Sequence, residues 1–297
     1  MNTFILEKIK PKEVKIEVNN ALAQQNVTKK ARENAVVVAG ETLSSIQKSE
    51  SLTKEFLDLC EGANVVLACR VSPIQKAEVV QMMRKRNPDK TTLAIGDGAN
   101  DVNMITAAHI GIGIAGLEGA QAARASDYSI GQFRFLKNLL FVHGREAYRR
   151  NAYLIAFMFY KNVFEVMPIW MYGWLSTFSG TPIYATVLYQ CYNTVFTAWP
   201  VIWFATFDQE YPKHILLKRP KLYWIGINDV YFNKVVFWRW FFYGMGQSTL
   251  IMFVLVYTVA GISPSADGQL GGEQAAGNFI FIVLVVAVNI KVLVSSF

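Results

Sequence analysis

Gly96-Asp97-Gly98-Ala99-Asn100-Asp101 puts two carboxylates four residues apart, directly behind the short apolar run Thr92–Ile95. Carboxylate oxygens in that arrangement make a hard site suited to Mg²⁺. The glycines permit a tight turn and the close approach of a phosphate. The same spacing also serves a plain strand-to-helix turn capped by an Asp. A second group, Arg70-Val71-Ser72-Pro73-Ile74-Gln75-Lys76, lies one expected strand earlier. Lys76 falls near the first turn of a helix that follows a strand. Its ammonium can reach the same sheet edge and neutralise a phosphoryl group, or remain an ordinary solvated charge. A third group is set in apolar sequence: Lys161, with Asn162 beside it and Glu165 one helical turn on. An ammonium deep in a membrane span costs roughly 2.5–3.5 kcal/mol, so such residues are functional by default. A Lys161–Glu165 ion pair is expected. Asn193 and Thr197, one turn apart on the next apolar segment, and Asn162 either hydrogen-bond a polar ligand or water, or hydrogen-bond between helices.

Positioning these groups takes two kinds of architecture. Residues 1–34 read as a polar, weakly helical segment. From residue 35 short apolar runs alternate with amphipathic stretches: strands at Ala35–Val38, Val65–Cys69, Thr92–Ile95 and Ile110–Ile114, with helices between them. Ser72, Pro73 and Gln75 make a capping box that starts the helix carrying Lys76. This order implies an α/β fold with a parallel sheet and helices on both faces. Ligands in such folds bind at the carboxyl ends of the strands, where Asp97, Asp101 and Lys76 would all lie.

The second half is different in kind. Residues 1–150 hold 21 of the 29 Lys/Arg and 16 of the 22 Asp/Glu, so the remainder is nearly uncharged. Four apolar segments follow, at about 152–176, 183–207, 236–260 and 277–296. Each is long enough to cross a hydrocarbon core of roughly 30 Å, which takes about 20 helical residues. Lys and Arg cluster before the first segment and between the second and third, while 177–182 and 261–276 have none. The positive-inside rule then puts the α/β part and the 208–235 loop in the cytosol. The chain is expected to be a multi-pass integral membrane protein. A disulfide scaffold is excluded by three scattered cysteines, Cys60, Cys69 and Cys191. The net charge of +7 follows a membrane pattern rather than a nucleic-acid one, so no nucleic acid partner is expected.

The pairing of a helix-start Lys with a Gly-Asp-x-x-x-Asp turn resembles a motif set of haloacid-dehalogenase-like phosphotransferases. The segments ACRVSPIQKAEVV (68–80) and TLAIGDGAND (92–101) resemble the phosphorylation domain of P-type ATPases. Residues 119–144, the run Phe159-Tyr160-Lys161-Asn162-Val163, and Phe207-Asp208-Gln209 are similar to the type IV branch, the phospholipid flippases. The resemblance covers most of 35–260. It implies a haloacid-dehalogenase-like, Rossmann-like partial phosphorylation domain over 35–135, then an all-α transmembrane region over 136–297. It implies an ATP-driven aspartyl-phosphate cycle with Mg²⁺ that moves aminophospholipid-type lipids to the cytosolic leaflet. It also implies a small accessory subunit with two membrane spans. Carried onto this chain, Asp97 and Asp101 bind Mg²⁺, and Lys76 and Asn100 contact the phosphoryl oxygens. Arg70, Lys76, Asn100 and Asp101 line the nucleotide phosphates. Lys161, Asn162 and Asn193 face the lipid. The second span has no carboxylate, which disfavours a calcium or sodium pump.

The departures from the pattern are equally plain. No DKTGT motif, which carries the phosphorylated Asp, occurs in these 297 residues, and Ala39-Gly40 stands where the family shows Asp-Gly. The expectation is a C-terminal portion of a longer chain. The alternatives are a non-catalytic membrane protein that uses the scaffold for binding or regulation, or a phosphatase anchored by helices.

Overall fold

A computed structural model describes residues 2–27, 34–116, 120–259 and 273–295. It divides into two compact units, 1–136 and 137–297. The first is built on parallel strands. β1 (Asn2–Leu6) leads through α1 (Pro11–Val27) to β2 (Asn34–Ala39), then α2 (Gly40–Gln47), α3 (Glu50–Glu61) and β3 (Val65–Cys69). After α4 (Pro73–Arg86) come β4 (Leu93–Gly96), α5 (Val102–Ala107), β5 (Ile110–Ile114), α6 (Gln121–Ala125) and β6 (Tyr128–Ile130).

Among the described residues all pairings are parallel, in two three-stranded sheets ordered β1-β2-β3 and β4-β5-β6. Residues 2–27, expected as a polar lead-in, instead complete the first sheet. Phe4 and Leu6 on β1 and Val14, Val18 and Ala21 on α1 pack with Val36, Val38, Leu43, Ile46 and Phe56 in one buried cluster. The reason is periodicity: the apolar residues of this stretch are few but recur at the spacing of one helix face. Each fully buried Val or Leu of that cluster stabilises the unit by about 1.5–3 kcal/mol before entropy is charged. β3 is an edge strand and is open to solvent. Val65, Val66 and Leu67 are 47, 40 and 52% exposed, and β3 and β4, consecutive in the chain, are not paired with each other.

The second unit is helical. One turn, α7 (Leu136–Asn138), and a π-helical stretch at Leu139–Gly144 run into α8 (Arg145–Leu175). α9 (Thr186–Cys191), a π-helical segment Tyr192–Phe196 and α10 (Ala198–Phe207) follow. Then come the short α11 (Lys213–Lys218) and α12 (Trp224–Ile227), and the long α13 (Lys234–Val259) and α14 (Glu273–Ser295). Among the described residues three helical runs are long and apolar enough to cross a membrane: Phe133–Leu175, Lys234–Thr258 and Ala275–Ser295. The expected second span at 183–207 is not one helix. It breaks at Tyr192–Thr197, where the i→i−4 ladder gives way to wider turns. Much of the 261–276 connection lies outside the described residues. Phe157, Tyr160, Phe164, Tyr192, Phe281, Leu284 and Val288 form the centre of the helical core.

Candidate functional site

Lys76 is placed by its helix start. Ser72 caps α4: its hydroxyl accepts from the Gln75 N–H at 3.3 Å, and the Gln75 side chain accepts from the Ser72 N–H at 2.8 Å. The Gln75 amide also donates to the Gly40 carbonyl and the Ser44 hydroxyl, both at 2.8 Å. That ties α4 to the turn after β2. A Cβ at Gly40 would stand 2.4 Å from the Arg70 carbonyl oxygen, so only glycine lets the two strand ends approach this closely. Arg70 itself adopts φ +53°, a strained conformation of the kind that clusters at functional sites.

Asp97 follows the last residue of β4, and Asp101 ends a short 3₁₀ turn over Ala99–Asp101. Lys76 Nζ lies 2.8 Å from Asp101 Oδ1. Asp101 Oδ2 accepts from the Asp97 N–H at 3.4 Å. Gly96 is required as well, since a Cβ there would meet the Asp101 side chain at 2.3 Å. Lys76, Asp97 and Asp101 therefore share one strand-end edge, as their spacing suggests. Asp97, Asn100 and Arg70 are solvent-exposed at its mouth, whereas the Asp101 side chain is 13% exposed. The set can hold a hard cation through two carboxylates while solvent completes the shell. Lys76 adds a point charge for a phosphate oxygen. No group of three or more His, Cys, Asp or Glu placed to hold a metal ion occurs among the described residues. Two carboxylates fit an ion such as Mg²⁺, which retains several waters.

A second polar group lies inside the helical unit. Lys161 on α8 is 2% exposed, and its Nζ donates to Thr197 Oγ1 at 3.0 Å. The Thr197 hydroxyl donates to the Tyr192 carbonyl at 2.8 Å, and the Tyr192 hydroxyl donates to the Lys161 carbonyl at 3.0 Å. The break after α9 thus ends at the Thr197 hydroxyl that meets the buried ammonium. Asn289 of α14 donates to the Phe196 carbonyl at 3.1 Å in the same break. Lys161 and Glu165 form no ion pair, so that expectation is corrected: the ammonium turns to the Thr197 hydroxyl. Asn162 and Asn193 are exposed on other faces of their helices. The structure does not bring them to Lys161.

Sequence reasoning missed a third group. At the start of α8, Arg145 pairs with Glu146 at 3.1 Å and Glu210 at 2.8 Å. Arg149 pairs with Glu146 at 3.3 Å and with Asp208. Arg150 donates to the Asp208 carbonyl at 2.5 Å, and the Tyr231 hydroxyl to Glu210 at 3.2 Å. Three cations and three anions balance here. The signal in the sequence was Asp208 and Glu210, the only acids of the 208–228 stretch.

Two family models account for the chain. Residues 123–297 match the phospholipid-translocating P-type ATPase C-terminal model, and residues 4–123 match haloacid dehalogenase-like hydrolases. The chain belongs to the phospholipid-translocating P-type ATPase family. Among its relatives, phospholipid-transporting ATPase ID of Homo sapiens is 40% identical over 88% of this chain and 22% of its own length. Phospholipid-transporting ATPase DRS2 of Saccharomyces cerevisiae is 39% identical over 86% and 19%. Phospholipid-transporting ATPase IH of Mus musculus is 36% identical over 86% and 22%. The chain thus spans about one fifth of the length of these relatives. Its α/β unit carries the haloacid-dehalogenase-like fold of the P-type ATPases, and its helical unit carries apolar helices of membrane-spanning length.

Proposed function

We propose that these residues are the C-terminal part of the phosphorylation domain and a group of membrane helices of an ATP-driven phospholipid flippase. In this reading the enzyme moves aminophospholipid-type lipids to the cytosolic leaflet through an aspartyl-phosphate cycle. The observation that carries the reading is the Lys76–Asp101 pair beside Asp97 at the carboxyl end of β4, in a chain of this family. Asp97 and Asp101 hold Mg²⁺, which supplies charge neutralisation to the phosphate. Lys76 fixes Asp101 and offers its remaining donors to the phosphoryl oxygens. Asn100 hydrogen-bonds them, and Arg70 stands at the nucleotide side. The work of these side chains is positioning and electrostatic stabilisation. The phosphorylated Asp comes from outside this sequence, which contains no DKTGT. The unpaired edges of β3 and β4 support that view, because parallel sheets in such folds are ordinarily continuous.

On the membrane side, Lys161 receives the lipid phosphate. A small two-span subunit accompanies the enzyme. The basic clusters at 134–150 and 213–234 support a cytosolic phosphorylation domain. The test is an immunoblot of native membranes with an antibody to 208–235, followed by labelling with γ-³²P-ATP. A band several times larger than 33.4 kDa that takes up acid-stable phosphate supports the reading. A band of that size without label favours the alternative, a non-catalytic membrane protein that uses the scaffold for binding or regulation.

A further inference from the structure

Residues 208–233 join α10 to α13, and the structure fastens this segment along one side. Leu216 of α11 is buried, the Tyr223 ring meets Phe141 edge-on at 5.6 Å, and the Phe232 N–H donates to the Tyr148 hydroxyl at 3.2 Å. The acids Asp208 and Glu210 are taken up by Arg149 and Arg145. Between 211 and 234 the only other acid is Asp229, against Lys213, Lys218, Arg219, Lys221 and Lys234. All five cations are exposed, and no ion pair engages them among the described residues. The segment also turns apolar side chains outward. Trp224 and Ile227, three residues apart and so on one face of α12, are 52 and 71% exposed. Its free side chains are thus at once basic and apolar.

That combination fits a charged bilayer surface. Tyr148 on α8 precedes the apolar stretch that starts near residue 152 by about one helical turn, which is about 6 Å at 1.5 Å per residue. Phe232, bonded to it, therefore stands close to the expected membrane edge, on the scale of a Debye length of about 8 Å. At such a distance each Lys or Arg strengthens attraction to an anionic leaflet about fivefold. Trp rings settle at the head-group level. We propose that 213–234 is a docking surface for the anionic lipid head groups of the cytosolic leaflet. Lys213, Lys218, Arg219 and Lys221 meet the lipid phosphates, and Trp224 and Ile227 enter the interface beside them. The choice of leaflet rests on the orientation in the flippase reading, whereas the surface itself does not. A soluble acidic partner would have to match both the cations and the apolar pair. The bilayer already lies alongside and offers phosphate and hydrocarbon together.

The experiment uses the native full-length protein in nanodiscs of phosphatidylcholine, with or without phosphatidylglycerol, an anionic lipid that carries no ammonium. Amide hydrogen exchange over 213–234 is the readout. Exchange is expected to slow about fivefold or more when phosphatidylglycerol is present, and to recover at high salt. Lys213→Gln, Lys218→Gln, Arg219→Gln and Lys221→Gln together are expected to erase the difference. Lys213→Arg, Lys218→Arg and Lys221→Arg together keep it. If the glutamine variant does not fold, the salt titration of the wild type gives the same answer. Equal exchange in the two bilayers overturns the inference, whether fast, as for a segment free in water, or slow, as for one covered by protein. Both leaflets of a nanodisc have one composition, so this result does not depend on orientation. Maleimide labelling of Lys218→Cys in sealed membranes reads the orientation separately. Labelling from the non-cytosolic side overturns the leaflet assigned here. A full-length protein that forms no phosphoenzyme overturns the flippase reading and leaves the docking surface standing.

Discussion

Single side chains carry the chemistry, and their surroundings set what each can do. Asp97 is exposed while Asp101 is held by Lys76 at 2.8 Å, so the two carboxylates are unequal. Asp97→Asn should therefore leave the fold unchanged and reduce Mg²⁺-dependent phosphoenzyme formation about 100-fold, the loss expected of one electrostatic contact to a reacting phosphate. Labelling with γ-³²P-ATP in the full-length protein reads this directly. Thr197→Ala removes the sole side-chain partner of the Lys161 ammonium among the described residues. Leaving a buried charge unpaired costs about 1–3 kcal/mol or more, and a lower melting temperature of the detergent-solubilised protein should report it. The cysteines offer a third test. Burial, with Glu61 adding to it, pushes the Cys60 thiol up from 9.0 to about 12, while Cys69 is exposed. A thiol raised in the folded state favours folding below its ordinary range, and that contribution is lost as pH rises from about 9 towards 12. At pH 8 iodoacetamide should accordingly modify Cys69 well before Cys60, as peptide mass spectrometry would show.

At the scale of elements, ends and breaks matter more than middles. α4 delivers Lys76 because Ser72, Pro73 and Gln75 fix its first turn. Ser72→Ala should cost about 1 kcal/mol in a denaturant melt. It should also weaken phosphoenzyme formation, because Lys76 is one residue past the box. The start of α8 is fastened to the segment after α10 by the Arg145, Arg149, Arg150, Glu146, Asp208 and Glu210 network. Breaking a buried pair by removing one partner costs about 3–5 kcal/mol. Asp208→Ala should fall near the lower end, since Glu146 still faces Arg149 at 3.3 Å. The melting temperature of the solubilised protein gives the value. The capping box and the helix starts were legible in the sequence because they are local patterns. The ion network was not, because its members lie about 60 residues apart and only folding brings them together.

Taken whole, the chain joins a charged α/β unit to an apolar helical one. The orientation assigned by its basic clusters predicts the outcome of labelling. A cysteine introduced at Ser179 should react with an impermeant maleimide from the non-cytosolic side. One at Lys218 should react only after permeabilisation. The sequence by itself determined the split between the two units, the parallel α/β character of the first, the Gly-Asp-x-x-x-Asp turn with its lysine, and the membrane character of the second. These follow from composition and short-range periodicity, which need no knowledge of distant contacts. Residues 2–27 were misjudged as a lead-in because their burial depends on β2 and α3, which lie further along the chain. The tertiary structure alone decided that Lys161 turns to Thr197 rather than to Glu165. The reason is physical: the helix breaks at Tyr192–Thr197, and an ammonium in an apolar bundle goes to whichever oxygen the packing holds within reach, not to the nearest opposite charge along its own helix.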